Sequence, residues 1–267
     1  MAFCFQSIRS GSSGNCLAFW TDKTRIFVDC GLRSQKLCRE VMALHTGCPS
    51  KLDAVVVSHA HSDHVNYSAL RVLEKESIPI WVHKDSASQV LHKHFLGRPF
   101  KSLNIKHYDG RSFSTGDLEI DAVEVAHHPE YPTFGFEIHS HCGGRPYKAV
   151  VVTDFMEWKK VLKHLLNADF IYVEANHDPG LLRLYPNPNS YYHMMNERTG
   201  ELLCEVVKQS RSAPKAVMLG HLSAERNNPP LALKAVRTAF EAHGLPLDFD
   251  LLVAPRDKAS DIVEIAS

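Results

Sequence analysis

The stretch VVVSHAHSDH at residues 55–64 places a continuous apolar run directly before a cluster of side chains that can bind metal ions. The run begins at Leu52 and is typical of a strand that is buried on both faces of a sheet. The cluster consists of His59, His61, Asp63 and His64. In the loop after a strand, the first two side chains can meet one ion while the last two turn towards a second. The stretch therefore predicts an α/β fold with a two-metal site at a strand end.

The donor atoms in this cluster favour a catalytic metal site over a structural one. Zinc and similar ions take imidazole nitrogen and carboxylate oxygen at about 2.0–2.2 Å. A structural zinc closes its shell with protein ligands that are often cysteines, whereas a catalytic ion keeps a position for water. Histidine and aspartate without cysteine indicate the catalytic kind. The competing interpretation, a polar surface loop, suits a lone histidine better than this cluster.

Four more predicted strands run directly into a histidine or an aspartate. They are 118–126 before His127, 147–152 before Asp154, 170–174 before His177 and 216–219 before His221. Functional sites in α/β folds gather at strand ends, where a rigid strand holds the side chain and the loop gives access. We therefore expect these polar groups to converge on one rim.

The composition sets limits on the function. The chain has 267 residues, of which 44% are hydrophobic and 22% are charged, as in ordinary globular domains. Lys+Arg and Asp+Glu both number 30, so the net charge of zero gives no overall attraction to nucleic acid or to an anionic membrane. The 7 cysteines are odd in number and none is spaced as C-x-x-C, which argues against a disulfide framework and a cysteine-rich zinc site.

The N-terminal residues lack a basic segment followed by a long apolar run, and no later stretch is apolar enough to span a bilayer. We therefore expect a soluble cytoplasmic protein without a membrane partner. The sequence does not indicate an oligomeric state.

Apolar residues at helical spacing predict helices between the strands. Leu37, Val41 and Leu44 indicate a helix over 34–46 with Ser34 as its N-cap. Residues 180–200 are rich in Pro, Asn and Tyr and predict irregular structure. The organisation expected is a single domain of residues 1–267 with an irregular insertion near 178–213.

VVVSHAHSDH resembles the signature of the metallo-β-lactamase superfamily. Further segments resemble its other motifs: DCG at 29–31, VAHHP at 125–129, VVTDF at 151–155 and LGHLS at 219–223. The resemblance covers most of the chain and preserves the order of the motifs. It implies a four-layer αββα sandwich of the α/β class, with two mixed sheets flanked by helices.

The same resemblance implies a set of metal ligands. One ion would be held by His59, His61 and His127, and the other by Asp63, His64 and His221, with Asp154 shared between them. Asp29 would orient metal-ligand histidines through hydrogen bonds. His127 is preferred to His128 because it directly follows the strand.

Finer features resemble one branch, the YycJ/VicX (WalJ) group, whose activity is nucleolytic. They are GSSGNC at 11–16, EANHD at 174–178, YP at 185–186 and HLSAERNNP at 221–229. The sequence departs from that group after Tyr185, where YYHMMNERTGELL replaces an expected Gly-His-Leu-Ser-Asn segment and leaves His193 as its remnant. The resemblance implies a phosphodiesterase or nuclease, with 5'–3' exonuclease action as one form. Its substrate would be nucleic acid or a small phosphodiester.

The implied mechanism uses a hydroxide held between two divalent ions about 3.5–4 Å apart, which attacks phosphorus in line. Zinc is the expected ion, and manganese and iron suit the same donors. Asp63 and Asp154 are the catalytic carboxylates, and His177 is a candidate proton donor, with His128 or a metal-bound water as alternatives. Asn176 and His128 are candidates for substrate contact. A hydrogen-bonded loop network would explain residues 174–177 equally well.

Two other functions remain open on these motifs. Thioester or lactone hydrolases of the superfamily share nearly the whole ligand set, and nothing in residues 59–64 separates them from a phosphodiesterase. A non-catalytic scaffold that binds metal is the second alternative, and the full ligand set argues against it. The motifs are equally compatible with DNA and RNA, and with exonuclease and endonuclease action.

Overall fold

Two sheets of seven strands each form the centre of the molecule, for which a computed structural model describes residues 2–94 and 97–267. The strands are β1 (Phe3–Arg9), β2 (Cys16–Thr21), β3 (Arg25–Val28), β4 (Ala54–Val56), β5 (Ile80–His83), β6 (Ile105–Tyr108), β7 (Phe113–Thr115), β8 (Leu118–Val125), β9 (Thr133–Cys142), β10 (Arg145–Val152), β11 (Phe170–Glu174), β12 (Ala216–Gly220), β13 (Asp250–Val253) and β14 (Val263–Ala266). The first sheet has the order β14-β1-β2-β3-β4-β5-β6, and the second has the order β13-β12-β11-β10-β9-β8-β7.

Each sheet is antiparallel in one half and parallel in the other. In the first sheet, β14, β1, β2 and β3 pair antiparallel, and β3 to β6 pair parallel. In the second sheet, β7 to β10 pair antiparallel, and β10 to β13 pair parallel. Neighbouring parallel strands end at the same edge of a sheet, so each sheet offers one edge rich in carboxyl-terminal loops.

Helices cover the outer faces of both sheets. They are α1 (Gln35–Thr46), α2 (Tyr67–Lys75), α3 (Ala87–Leu91), α4 (Lys159–Leu165), α5 (Pro179–Leu184), α6 (Asn196–Gln209) and α7 (Pro229–Ala242). Met42 and Leu70 pack with the first sheet, and Leu203 and Phe240 pack with the second. None of the helices in the described part of the chain combines the length and the apolar character needed to cross a membrane.

The faces of the two sheets pack against each other through a buried aromatic core. Phe5 of the first sheet lies 4.9 Å from Phe19 and 4.5 Å from Phe170 of the second sheet, measured between ring centroids. Burial of large rings is the strongest apolar contribution available to such an interface. The four-layer arrangement of two mixed sheets between helices confirms the predicted α/β sandwich.

Several predicted elements agree closely with the structure. β11 has the predicted bounds, and α1 begins where expected because the Ser34 hydroxyl accepts a hydrogen bond of 3.3 Å from the Leu37 amide. Asn228 caps α7 in the same way, with its side-chain oxygen 3.0 Å from the Leu231 amide.

The structure differs from the prediction within residues 178–213. This stretch contains α5 and α6, so much of it is regular. The helical pattern of α6 is weak in sequence because its first turns carry Asn, Thr and Gly, residues with low helix propensity. Burial of one face of α6 against the second sheet compensates for that low propensity. The single-domain organisation stays a prediction.

Candidate metal centre

The backbone is strained at three positions where strands deliver polar side chains. Asp29, Asp154 and His221 have φ angles of 61°, 58° and 53°, in the left-handed region that non-glycine residues rarely adopt. Each lies one or two positions after a strand of a parallel pair, namely β3, β10 or β12. Such strain persists only where the surrounding structure holds it, and it concentrates at functional sites.

The Asp29 carboxylate fixes the loop that follows β4. Its Oδ1 accepts a 2.8 Å bond from the Ser58 amide and its Oδ2 accepts a 2.8 Å bond from the Ser58 hydroxyl. Oδ2 also lies 2.6 Å from Nδ1 of His64. Because Nδ1 is committed to this carboxylate, Nε2 of His64 is the nitrogen that faces the site.

The first group of donors consists of His59, His61 and His127. Ligand atoms of these three histidines all lie within 4.8 Å of one another. Nε2 of His59 is 2.9 Å from Nδ1 of His61. Burial, followed by the charge of His64, holds the pKa of His59 well below its ordinary value, so that ring is in the neutral form that can donate to a metal ion.

The second group consists of Asp63, His64 and His221, again with ligand atoms within 4.8 Å of one another. Oδ2 of Asp63 lies 3.6 Å from Nε2 of His64 and 3.5 Å from Nε2 of His221. Burial raises the pKa of Asp63, but the neighbouring His64 and His221 outweigh burial and lower it to about 2. The group therefore presents an ionised carboxylate beside two imidazoles.

The Asp154 carboxylate lies between the two groups. Its Oδ2 is 3.2 Å from Nε2 of His64, and its Oδ1 is 3.8 Å from Nε2 of His127. Burial opposes its ionisation, but His221 and His64 hold the pKa of Asp154 well below its ordinary value. One buried anion thus contacts a histidine of each group.

Two further histidines are oriented by oxygen atoms behind them. Nδ1 of His127 donates to the Tyr192 carbonyl at 3.0 Å, and Nδ1 of His221 donates to Oε1 of Glu174 at 2.7 Å. Nε2 of both rings and Oδ2 of Asp154 are buried without a hydrogen-bond partner. Buried polar atoms are rarely left in this state, so three of them at one point fit a site that binds metal ions.

Glu174 is a central residue that the sequence did not single out for this role. It is fully buried at the end of β11, and its Oε1 also lies 2.8 Å from Nδ1 of His193. Its Oε2 accepts a 3.0 Å bond from the Met194 amide. Burial raises the pKa of Glu174, yet His193 and His221 lower it to about 2, so the carboxylate orients both rings as an anion. The segment EANHD at 174–178 was the only sequence feature that could have indicated this role of Glu174.

Five of the donors, His61, Asp63, His127, Asp154 and His221, line a cavity of about 440 Å³. Residues around it are Ser12, His61, Asp63, His127, His128, Asp154, Asn176, Asn187, Asn189, Ser190, Tyr192, His193, His221, Ser223 and Arg226. Asn176 and His128 are thus on the cavity wall, as substrate contact requires. His177 is not among these lining residues. It is buried, its Nδ1 lies 3.4 Å from Oδ1 of Asn176, and its backbone forms a bridge with Met195.

The turn over residues 11–16 also supports the site. Nδ2 of Asn15 lies 3.3 Å from Oδ2 of Asp63 and 3.1 Å from Nε2 of His64. Gly31 packs so closely on the same loop that an added Cβ would lie 1.7 Å from the Asp63 carbonyl oxygen. The Gly of the DCG motif is therefore required by close backbone approach.

The chain is similar to known proteins in both sequence and fold. Residues 24–221 match the sequence model of the family described as the Beta-lactamase superfamily domain. The chain is 26% identical over 279 residues to Exodeoxyribonuclease WalJ of Streptococcus pneumoniae strain D39, covering 99% of each protein. It is also 26% identical over 254 residues to Exodeoxyribonuclease YycJ of Bacillus anthracis, covering 91% of each. The crystal structure of the metallo-beta-lactamase fold protein YhfI from Bacillus subtilis shares the fold, with a TM-score of 0.70 at 18% identity and coverage of 98% of this chain and 99% of YhfI.

Proposed function

The chain belongs to the β-lactamase superfamily, and from that membership we propose that it is a two-metal-dependent phosphodiesterase that acts as a nuclease on DNA. The two relatives above are named exodeoxyribonucleases, which favours DNA and exonuclease action within that class. The likeness to them extends over nearly the whole chain, so it includes the cavity wall as well as the metal motifs.

One observation carries the proposal. Asp154 contacts His64 of one donor group and His127 of the other, while three buried polar atoms at this point have no partner. A shared carboxylate between two donor groups suits a pair of ions. A carboxylate as the shared ligand also suits a phosphoester substrate. Ions that bind carboxylate oxygen also bind phosphate oxygen.

We assign the two ions to the two groups described above. One would be held by His59, His61 and His127 and the other by Asp63, His64 and His221, and Asp154 would be shared between them. When bound, the ions supply Lewis-acid stabilisation of a phosphoryl oxygen and lower the pKa of water. Zinc is the ion that we propose, and manganese and iron suit the same donors.

Residues behind the donors keep the imidazole rings in place. Asp29 holds His64 and Glu174 holds His221, each through Nδ1, so that Nε2 is presented to the site without rearrangement. Such partners fix both the tautomer and the orientation of a ligand ring. We infer that these two carboxylates give the site its geometry before any ion binds.

His193 is our candidate for protonating the leaving group. Its Nδ1 is held by Glu174 at 2.8 Å and its ring lines the cavity beside His221, with 5.4 Å between ring centroids. With Nδ1 committed to the carboxylate, Nε2 is left to donate a proton to an alkoxide oxygen. His177, which the sequence suggested, is separated from the cavity, so His193 is preferred. Asn176 and His128 remain our candidates for substrate contact.

A cytoplasmic location is part of the proposal. All seven cysteines are free thiols and six of them are buried. Cys30 and Cys38 lie with their sulfur atoms 3.6 Å apart without being joined, an arrangement that suits a reducing compartment.

Metal analysis paired with a substrate panel tests the function. The purified protein should contain about two ions per chain and cleave bis(p-nitrophenyl) phosphate and end-labelled single-stranded DNA. Labels at the 5' end and at the 3' end in separate strands report the direction of digestion. Hydrolysis of thioesters or lactones without phosphodiester cleavage would replace the proposal with the first alternative. Fewer than one ion per chain would support a non-catalytic scaffold.

A further inference from the structure

An exposed apolar surface lies beside the cavity. Among the described residues, large hydrophobic side chains with high exposure concentrate in one short segment, where Leu184 is 71% exposed, Tyr185 is 56% exposed and Tyr191 is 73% exposed. We define the tyrosine ledge as Leu184, Tyr185, Pro186 and Tyr191 of this segment, together with Arg226. Large exposed apolar side chains in one patch indicate a binding surface more often than isolated ones do.

The tyrosine ledge is continuous with the candidate metal centre. Arg226 lines both the cavity and a neighbouring depression that contains Leu184, Tyr185 and Pro186. Nε of Arg226 donates a 2.6 Å bond to the Tyr185 carbonyl, which fixes the ledge relative to the cavity. Tyr191 lies 5.7 Å, between ring centroids, from Tyr192 on the cavity wall.

The size of the cavity limits what can lie inside it. A volume of about 440 Å³ is that of a small-ligand pocket, which accepts one nucleotide-sized group and not a length of strand. For a nuclease, the remaining nucleotides must therefore lie on the surface that surrounds the opening.

A second depression borders the cavity on the side of His127 and His128. Its other charged residues are Lys84, Asp85, Asp109 and Glu124, so carboxylates outnumber cations there. Such a surface repels a phosphate backbone. The depression on the tyrosine side has no such excess of negative charge, because Glu225 is paired with Arg226. The charges therefore favour the tyrosine side as the path of the strand.

We propose that the tyrosine ledge binds the unpaired bases of a single-stranded nucleic acid whose terminal nucleotide occupies the cavity. This inference rests on the proposed nuclease function. Base stacking on exposed aromatic rings is the usual means of binding single strands without sequence preference, because every base has a π-face. Tyr185 and Tyr191 supply the rings, and Arg226, which is paired with Glu225, holds Tyr185 beside the cavity.

Binding of a single strand to the metal-loaded protein tests the ledge directly. The probe is a phosphorothioate oligodeoxynucleotide, which resists cleavage, with a fluorophore for anisotropy at one end. Tyr185→Ala and Tyr191→Ala should each raise the Kd roughly tenfold, the effect of losing one stacked base. Tyr185→Phe and Tyr191→Phe keep the ring and should restore binding. Leu44→Ala, at a residue on α1 that is 79% exposed and outside the cavity wall, is the matched surface control.

Three outcomes would contradict binding at the tyrosine ledge. They are an unchanged Kd in both alanine variants, an equal loss of affinity in Leu44→Ala, or an equal loss of affinity of the tyrosine variants for a blunt duplex, whose bases are not available for stacking. A 2-aminopurine base near the strand terminus provides a second measurement. Its fluorescence should be quenched on binding to the wild-type protein and recover in the alanine variants. Failure of the proposed function is detected separately, because the metal-loaded wild type would then not cleave bis(p-nitrophenyl) phosphate. This substrate is too small to reach the tyrosine ledge, so its cleavage does not depend on the ledge.

Discussion

Oε1 of Glu174 lies 2.7 Å from Nδ1 of His221, in a position where neither group is accessible to solvent. This contact holds a proton on Nδ1 of His221, so that Nε2 is the nitrogen presented to the donor group. Because the same carboxylate also holds His193, one residue organises two histidines of the cavity.

Glu174→Gln should weaken metal binding about 10- to 100-fold, since glutamine keeps the size of the side chain but loses its charge. Competition with a chromophoric chelator measures the affinity. The exposed Glu201 on α6 provides a control, as Glu201→Gln changes a carboxylate that does not contact the donors. Equal affinities for wild type and Glu174→Gln would show that Glu174 has no part in orienting His221.

Asp154→Asn should reduce phosphodiester cleavage by more than about 100-fold, because the amide cannot replace an anion shared by both donor groups. Metal content measured on the same sample should fall below that of the wild type. Full occupancy with near-normal turnover in this variant would contradict the assignment of Asp154 as a shared ligand.

His193→Gln should distinguish proton donation from binding. If His193 protonates the leaving group, kcat on DNA falls by about 10²–10⁴, since an alkoxide is a poor leaving group. The loss should be much smaller on bis(p-nitrophenyl) phosphate, whose leaving group departs without a proton. A loss of the same size on both substrates would assign His193 to positioning instead.

Gly31→Ala should disrupt the loop that carries Asp63. The added Cβ would meet the Asp63 carbonyl oxygen, and overpacking of this kind costs about 1–3 kcal/mol or more in the free energy of unfolding. Gly47→Ala is a suitable comparison, because Gly47 has open space around it and only its φ of 74° opposes the substitution. Gly31→Ala should have a lower Tm than Gly47→Ala in thermal unfolding. Only Gly31→Ala should lose metal.

His45 should make the protein less stable in mild acid. Burial, followed by the charge of Arg25, lowers the pKa of His45 to about 4, whereas the unfolded chain titrates near 6.5. Between these pH values His45 binds a proton more readily in the unfolded state than in the folded state. The free energy of unfolding therefore falls as the pH drops from about 6.5 towards 4.

His45→Phe tests this effect, since phenylalanine keeps a ring against Trp20 and Phe27. The difference in unfolding free energy between pH 7 and pH 4.5 should shrink by on the order of 1 kcal/mol after allowance for solvent screening. Denaturant titrations at the two pH values measure it. Parallel pH profiles for the variant and the wild type would exclude His45 as the source.

The convergence of the candidate metal donors could be predicted because each follows a strand with a clear apolar pattern. His59 and His221 lie at strand ends that are evident from sequence, and parallel pairing brings those ends to one rim. Glu174 was harder to recognise, because its importance depends on the segment 193–194 folding back over the end of β11. No local pattern encodes that contact.

The other gaps have similar physical reasons. α6 was missed because tertiary burial, and not intrinsic propensity, stabilises its first turns. The tyrosine ledge depends on which aromatic rings remain exposed, and composition alone does not decide exposure. His177 was favoured as a proton donor because it follows β11 directly, but the chain turns it into the interior at that point.

The division of the donors between the two sheets has a consequence for biosynthesis. His59 to His64 follow the first sheet's β4, whereas Asp154 and His221 follow β10 and β12 of the second. A nascent chain that has emerged only as far as β11 has the complete first group but lacks His221 of the second. Hydrolytic activity therefore requires that translation has passed residue 221 and that the two sheets have packed together. A chain truncated before residue 221 lacks a donor of the second group.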